Sequence, residues 1–289
     1  MGNKMKIITL ILILLIPSIS IANGGQTISN IFISDDTDGN TIIQKSIDLW
    51  IAANENIDVG IAYRHSIFEE DNSDRLGILL DKRFNNRLGI NADIGLESLN
   101  NELTGNAGIS RWHDHGTFEV NIEKDFVDNI AGIERGLSFT NAYILSEYNI
   151  KNLNTTAVLG NTRFSDNNNR KDQRIVLNYN IIDGIAIRLD HQRQNFDNPS
   201  NLYFTPNRYY RTLAGITFAT RYHNIVFRGQ TLAGQQTVEG NAFTSYLARL
   251  SMEKDFNRYP ISMRAELVFD RKQPEYTYKE LKFTINYRF

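Results

Sequence analysis

The sequence predicts an all-β fold, a transmembrane antiparallel β-barrel of about sixteen strands. Three observations predict it. The chain ends on ten residues in strand register, with Leu281, Phe283, Ile285, Tyr287 and Phe289 on one face and Glu280, Lys282, Thr284, Asn286 and Arg288 on the other. The same two-residue period recurs upstream, and no window after Gln26 carries a sustained helical stripe. The blocks are joined alternately by tight turns and by longer polar loops.

In chain order, the first element is a leader. Lys4 and Lys6 precede an apolar run from Ile7 to Ile16, followed by Pro17 and the small residues Ser20 and Ala22. That order of charge, apolar run and small residues reads as a secretory signal peptide over residues 1–22, cleaved after Ala22. The run is short for a helix crossing a bilayer. Residues 23–289 form the barrel, with no Pro/Gly/Ser-rich linker or long internal repeat to divide them.

Each block sets apolar against polar positions. Ile47, Leu49 and Ile51 oppose Ser46, Asp48 and Trp50; Ile57, Val59 and Ile61 oppose Asp58, Gly60 and Ala62. Ile90, Ala92 and Ile94 oppose Asn91, Asp93 and Gly95, and Phe118, Val120 and Ile122 oppose Glu119, Asn121 and Glu123. The pattern returns at Ile185, Ile187 and Leu189, and at Met263, Ala265 and Leu267. Alternation blurs over 101–112, 136–149 and 153–163, so fourteen strands is the alternative count. Turns such as Asp183-Gly184 and the stretch 113–116 are tight, whereas 34–40, 68–74, 195–207 and 234–241 read as longer loops. A soluble β-sandwich would share the alternation. The leader, the hairpin regularity and the terminal aromatic favour the barrel.

Composition narrows the partners. A mean hydropathy of −0.36 is that of a soluble protein, yet a barrel wall needs apolar residues only at every second position. The net charge of −2 supplies no basic field for nucleic acid. With no cysteine, neither disulfides nor a lipid-modified cysteine is available. Nothing points to a cofactor or a metal.

Assigning the polar face to the lumen separates two walls. An acidic wall carries Asp48, Asp58, Asp93, Glu97, Glu119 and Glu123, and a basic wall carries Arg174, Arg188, Arg211, Arg228, Arg249 and Arg264. If the sheet closes, the two face each other and set a field across the lumen, which orients dipolar, hydroxyl-rich solutes. The bland alternative is that they are ion pairs between neighbouring strands.

A chain stopping on a bare aromatic in strand register resembles the terminal strand of a bacterial outer-membrane barrel, in which the last residue, here Phe289, closes the sheet and signals the barrel assembly machinery. That resemblance implies outer-membrane lipid and lipopolysaccharide around the wall. A second resemblance rests on residues 201–210, where Tyr203, Phe204, Thr205, Pro206 and Tyr209 match a Tyr-aromatic-Ser/Thr-Pro-x-x-Tyr/Phe signature. It is similar to the C-terminal barrels of exopolysaccharide exporters, including those for cellulose and poly-N-acetylglucosamine, and to the related YaiO-type barrels. The resemblance implies a glycan-handling pore in which the tyrosines and Phe204 stack on sugar rings. The alternative is a loop tied down by aromatic packing and Pro206. The exporters carry a long periplasmic helical-repeat superhelix before the barrel, whereas few residues here separate the leader from the first strand. The stand-alone YaiO-type barrel is therefore the nearer match, and such repeats would come from a periplasmic partner.

Catalysis is not expected. His65 and Ser66 are adjacent on one strand and point to opposite faces, so they do not form a nucleophile–base pair. His113, Asp114 and His115 read as solvated turn residues rather than metal ligands. The expectation is an outer-membrane pore for an exopolysaccharide. The alternatives are a general diffusion porin for small polar solutes and a plugged barrel serving as a surface receptor or scaffold.

Overall fold

The computed structural model describes residues 24–289 apart from positions 70, 86, 128, 201, 257–258 and 273–275. The leader expected over residues 1–22 lies outside the described residues.

The alternating blocks become strands of ten to sixteen residues. The first half of the chain contains β1 (Gly25–Asp36), β2 (Thr41–Asn54), β3 (Ile57–Phe68) and β4 (Asp71–Asn85). It continues through β5 (Leu88–Glu97), β6 (Glu102–His113), β7 (Gly116–Phe126) and β8 (Ser138–Ile150). The second half contains β9 (Leu153–Phe164), β10 (Asn169–Ile182), β11 (Ile185–Phe196) and β12 (Tyr209–Tyr222). It ends with β13 (Ile225–Val238), β14 (Asn241–Phe256), β15 (Ile261–Arg271) and β16 (Thr277–Arg288). Each strand pairs antiparallel with its chain neighbours, and β1 pairs with β16, so the sheet is a closed barrel. Closure extends one residue past the ladder: Gly25 N–H donates to the Phe289 carbonyl at 2.8 Å and Phe289 N–H to the Gly25 carbonyl at 2.9 Å.

Sixteen strands, not fourteen, resolve the blurred stretches, which become β6, β8 and β9. Their alternation is faint for a physical reason. Tyr143, Leu145 and Val158 put apolar side chains on the face shared with Asn121 and Arg174, while Gly105 and Ala107 are small residues on the opposite face. Gly105 itself is constrained. Its φ is +138°, and a Cβ there would lie 1.8 Å from the Asp93 carbonyl oxygen.

Ion pairs decide which face is the inside. Arg64 on β3 donates to Asp125 on β7, four strands away around the wall, at 3.0 Å. Only side chains aimed into the enclosed space meet across such a chord. The opposite face carries Ile31, Leu76, Ile78, Leu103, Ile122, Leu159 and Ile216, all exposed, as an outer wall facing hydrocarbon requires.

Both termini and the turns after the even-numbered strands share one end of the barrel, here the terminal end; the other is the loop end. The loops expected at 68–74 and 234–241 are shorter than their polar composition implied. Strand β4 begins at Asp71, and β13 and β14 are joined by Glu239 and Gly240 alone, with φ of +50° and +87°. Two residues with positive φ fit the right-handed twist of a hairpin, so the polar residues join the ladder. Two connections at the loop end are long. Residues 127–137 carry the short helix α1 (Ile130–Glu134), whose cap Asn129 accepts from Gly132 N–H at 2.6 Å. Residues 197–208 carry the Tyr-Phe-Thr-Pro motif.

Gly105→Ala is expected to lower the urea midpoint of the folded barrel, by about 1–3 kcal/mol of strain. Ala107→Gly on the same face serves as the comparison, and equal midpoints for the two variants would refute the constraint.

Candidate functional site

The lumen is built from every second residue of each strand, and its side chains sort into two networks. On the β3–β7 side, Arg64 holds Glu97 at 2.7 Å and Asp125 at 3.0 Å, while Ser73 donates its hydroxyl to Glu97. Arg75 reaches Asp93 with its guanidinium and donates its Nε to Thr104 at 3.0 Å. On the β10–β15 side, Arg174 grips both oxygens of Asp190 at 2.9 and 2.6 Å, and Arg188 joins the same carboxylate at 3.3 Å. Arg211 spans from β12 to Asp270 on β15 and donates its Nε to Ser245 at 2.9 Å. Arg228 pairs with Glu253, and Arg249 and Arg264 share Glu266.

The two walls lie on opposite sides of the ring, with β5 eight strands from β13. They differ in how far they are neutralised. The six arginines of the basic wall meet four carboxylates: Asp190, Asp270, Glu253 and Glu266. On the acidic wall Asp93 and Glu97 are paired, whereas Asp48, Asp58, Glu119 and Glu123 have no ion pair among the described residues. Pairs between nearby strands therefore hold the basic wall, while four carboxylates of the acidic wall stand outside such pairs among the described residues.

Burial grades along the axis. Near the loop end Arg75, Glu97, Thr162, Arg211, Gln236 and Ser245 are all buried. Toward the terminal end Arg228, Arg249 and Arg264 are about half exposed, at 47%, 49% and 48%. These long lumen side chains are thus closely packed toward the loops and more exposed toward the termini.

The motif lies at the loop end. Tyr203 stacks on Phe164 with ring centres 4.6 Å apart and planes 25° apart. Its hydroxyl donates to Asp166 at 3.0 Å and accepts from Asn168 at 3.2 Å. Burial, with the Asp166 carboxylate adding to it, pushes that hydroxyl up to about 12, so the donor is kept at neutral pH. Thr205 accepts from Ser200 N–H at 2.6 Å and returns its own proton to the Ser200 carbonyl. The buried Pro206 offers its carbonyl to Phe196 N–H at 3.3 Å. Tyr209 is inward and buried, with Phe204 edge-on against it at 5.9 Å. These five residues hold 197–208 as a strap across one side of the mouth. Phe204 is the motif ring left half open, at 51% exposure.

The strap rests on residues that sequence reasoning missed. Phe164 and Phe196 point inward at the loop ends of β9 and β11 and form a buried cluster with Val127 and Leu137. The Arg170 guanidinium lies 5.9 and 5.7 Å from their ring centres. Asn129 of the α1 loop donates to the Leu202 carbonyl at 2.8 Å, which ties the two long connections together. A signal was present: both aromatics occupy the polar parity of their strands, sharing a face with Thr162 and with Gln194. His65 and Ser66 point to opposite faces, His65 toward Asp74 on the outer wall at 2.9 Å and Ser66 toward Gln44 in the lumen at 3.1 Å.

No family model matches the chain, and no curated protein matches it in sequence. Solved structures do. The barrel is similar to a bacterial polysaccharide outer membrane secretin, with a TM-score of 0.76 at 11% identity over 93% of this chain and 100% of that one. It is also similar to OpdQ of Pseudomonas aeruginosa, with a TM-score of 0.51 at 10% identity over 93% of this chain and 99% of that one. OprD of the same organism gives 0.51 at 9% identity over 92% and 94%. At such identities the likeness is one of fold, and the chain is a closed sixteen-stranded antiparallel barrel of the outer-membrane type.

Proposed function

We propose that the chain is an outer-membrane pore through which an exopolysaccharide chain passes, entering at the terminal end and leaving past the strap. The observation that carries this reading is the TM-score of 0.76 to a polysaccharide secretin over the whole of that barrel, against 0.51 for two Pseudomonas barrels. The match of Tyr203, Phe204, Thr205, Pro206 and Tyr209 to the exporter and YaiO-type signature supports it. In this reading the terminal end faces the periplasm, Phe289 is the signal for the barrel assembly machinery, lipopolysaccharide surrounds the loop end, and a separate periplasmic helical-repeat partner delivers the glycan.

The lumen chemistry suits such a cargo. Arginines already paired with carboxylates present many hydrogen-bond groups, so a hydroxyl-rich chain exchanges weak, repeated contacts and is not trapped. Phe204 supplies an apolar face for a sugar ring at the mouth. The Arg64–Asp125 chord narrows the passage and favours a second reading, a diffusion porin for small polar solutes.

Single-channel recording of the mature barrel in a planar bilayer tests both. Block by β-linked glucan or glucosaminan oligomers, weakened about tenfold (roughly 1.4 kcal/mol) by Phe204→Ala, supports glycan passage. An open channel indifferent to these oligomers supports the porin, and a silent folded barrel supports a receptor or scaffold. Arg64→Ala is expected to raise the single-channel conductance by removing the chord, and to cost about 3–5 kcal/mol of stability by leaving Glu97 buried without its cation. The unpaired Asp48, Asp58, Glu119 and Glu123 predict a reversal potential shifted toward potassium in a chloride gradient. Asn or Gln at these four positions removes the shift, and a parent channel that prefers chloride contradicts the assignment.

A further inference from the structure

The outer face from β8 to β13 is charged in one place only. Among the described residues its outward strand positions carry no Asp or Glu, and their Lys and Arg are Arg163, Lys171 and Arg193, all near the loop end. Two outward cations elsewhere at this end have acids beside them: Lys124 bonds Glu102 at 2.6 Å, and Lys279 stands opposite Asp35. Three adjacent strands of the β8–β13 arc share one layered pattern, read from the loop end downward. On β9, Arg163 stands above Asn161 and Leu159, and on β10, Lys171 stands above Gln173 and Ile175. On β11, Arg193 stands above His191 and Leu189. The aliphatic member of each set is exposed, at 58%, 50% and 39% in that order.

Register sets the three cations side by side. Lys171 pairs with Asn161 and with Asn195, so Arg163 and Arg193 are its diagonal neighbours, each about 8 Å away. Four residues of tilted strand separate each cation from its aliphatic residue, about 10 Å along the barrel axis. That offset puts the cations at headgroup level when the aliphatic residues lie in hydrocarbon. Arg193 is braced by Tyr210, whose ring centre is 5.4 Å from the guanidinium carbon. None of the three makes an ion pair among the described residues. The carboxylates of the nearby rim are engaged elsewhere, Asp166 by the Tyr203 hydroxyl at 3.0 Å and Asp197 by the Asn169 amide at 3.1 Å.

We propose that this arc is a binding site for the phosphorylated disaccharide headgroup of lipopolysaccharide. Arg163, Lys171 and Arg193 hold the phosphates, Asn161 and Gln173 meet sugar hydroxyls, and acyl chains lie over Leu159, Ile175 and Leu189. The cations span two steps of about 8 Å, which suits a headgroup with a phosphate at each end better than a phospholipid with one. With no carboxylate in the arc, the phosphates meet the protein directly and need no bridging divalent cation. A second copy of the barrel is a poor occupant, because a two-fold contact sets the cations against themselves. The proposal rests on the loop end facing outward, as in the proposed function, and not on what crosses the lumen.

The test is native mass spectrometry of the refolded barrel released from detergent containing EDTA and equal amounts of lipopolysaccharide and phosphatidylglycerol. The expected result is retained lipopolysaccharide, favoured about tenfold over phosphatidylglycerol. Replacing Arg163, Lys171 and Arg193 together by Ala weakens retention about a hundredfold. The charge-keeping set Arg163→Lys, Lys171→Arg and Arg193→Lys preserves it, as does Ala at Lys82, Arg111 and Lys254, three outward cations near the terminal end. Heat-modifiable migration verifies that each variant is folded, and Lys171→Glu replaces the triple Ala variant if the latter fails that check. The proposal is overturned if the loop-end variant retains as much lipopolysaccharide as the parent, if phosphatidylglycerol is retained equally, or if the terminal-end variant loses as much. Asn198→Cys, in a chain otherwise free of cysteine, reports orientation separately: a membrane-impermeant maleimide is expected to label it on intact cells. An unlabelled loop overturns the orientation and the site together, whereas a labelled loop with unchanged lipopolysaccharide retention in the loop-end variant overturns the site alone.

Discussion

Everything in this molecule depends on β1 meeting β16. A sheet surrounded by hydrocarbon has no water to satisfy an open edge, and each unpaired backbone group there costs several kcal/mol. Eleven facing positions, from Gln26 with Arg288 to Asp36 with Tyr278, join the two edges. The reciprocal hydrogen bonds of Gly25 and Phe289 extend the seam to the last residue of the chain. Gly25 is suited to that place, since a Cβ would fall 2.8 Å from the Phe289 ring. The terminal aromatic is thus part of the closing seam as well as of the apolar outer face.

Closure also converts a linear charge pattern into an enclosed one. In an open sheet the arginines and carboxylates of β3, β5 and β7 would stand in separate rows facing water. In the barrel, curvature brings Arg64 within reach of Glu97 and Asp125 together. Glu97 is then 2% exposed, and its charge is tolerable because a guanidinium and a serine hydroxyl both address it. The same curvature joins Arg211 to Asp270 across two intervening strands. The close packing near the loop end follows from these long side chains converging, while pairs such as Arg228 with Glu253 join adjacent strands.

The fold was largely legible in the sequence, because a two-sided wall enforces alternation wherever hydrocarbon is on one side and water on the other. Strands such as β5, β7 and β16 could be drawn residue by residue. Legibility failed where the lumen itself is apolar. Leu213, Leu232, Leu247 and Val268 form an inward cluster on β12–β15 that breaks the polar parity without changing the strands. It failed for loop lengths as well, since polar residues near Glu239 belong to strands whose outer ends stand clear of the apolar band. The membership of the charged walls was readable from parity. Their pairing was not, because a contact between β3 and β7 depends on the radius of the closed ring and on no local pattern. The motif at Tyr203 to Tyr209 was visible, but its partners Phe164, Asp166 and Asn168 lie on another hairpin.

The two long connections rise from one arc of the rim, between β7 and β12, and lean on each other through Asn129 and Leu202. Around much of the remaining rim, hairpins such as Glu239 with Gly240 end almost flush with the wall. The rim is therefore uneven, high along one arc and low from β13 to β6, which gives the barrel a fixed compass direction on the surface.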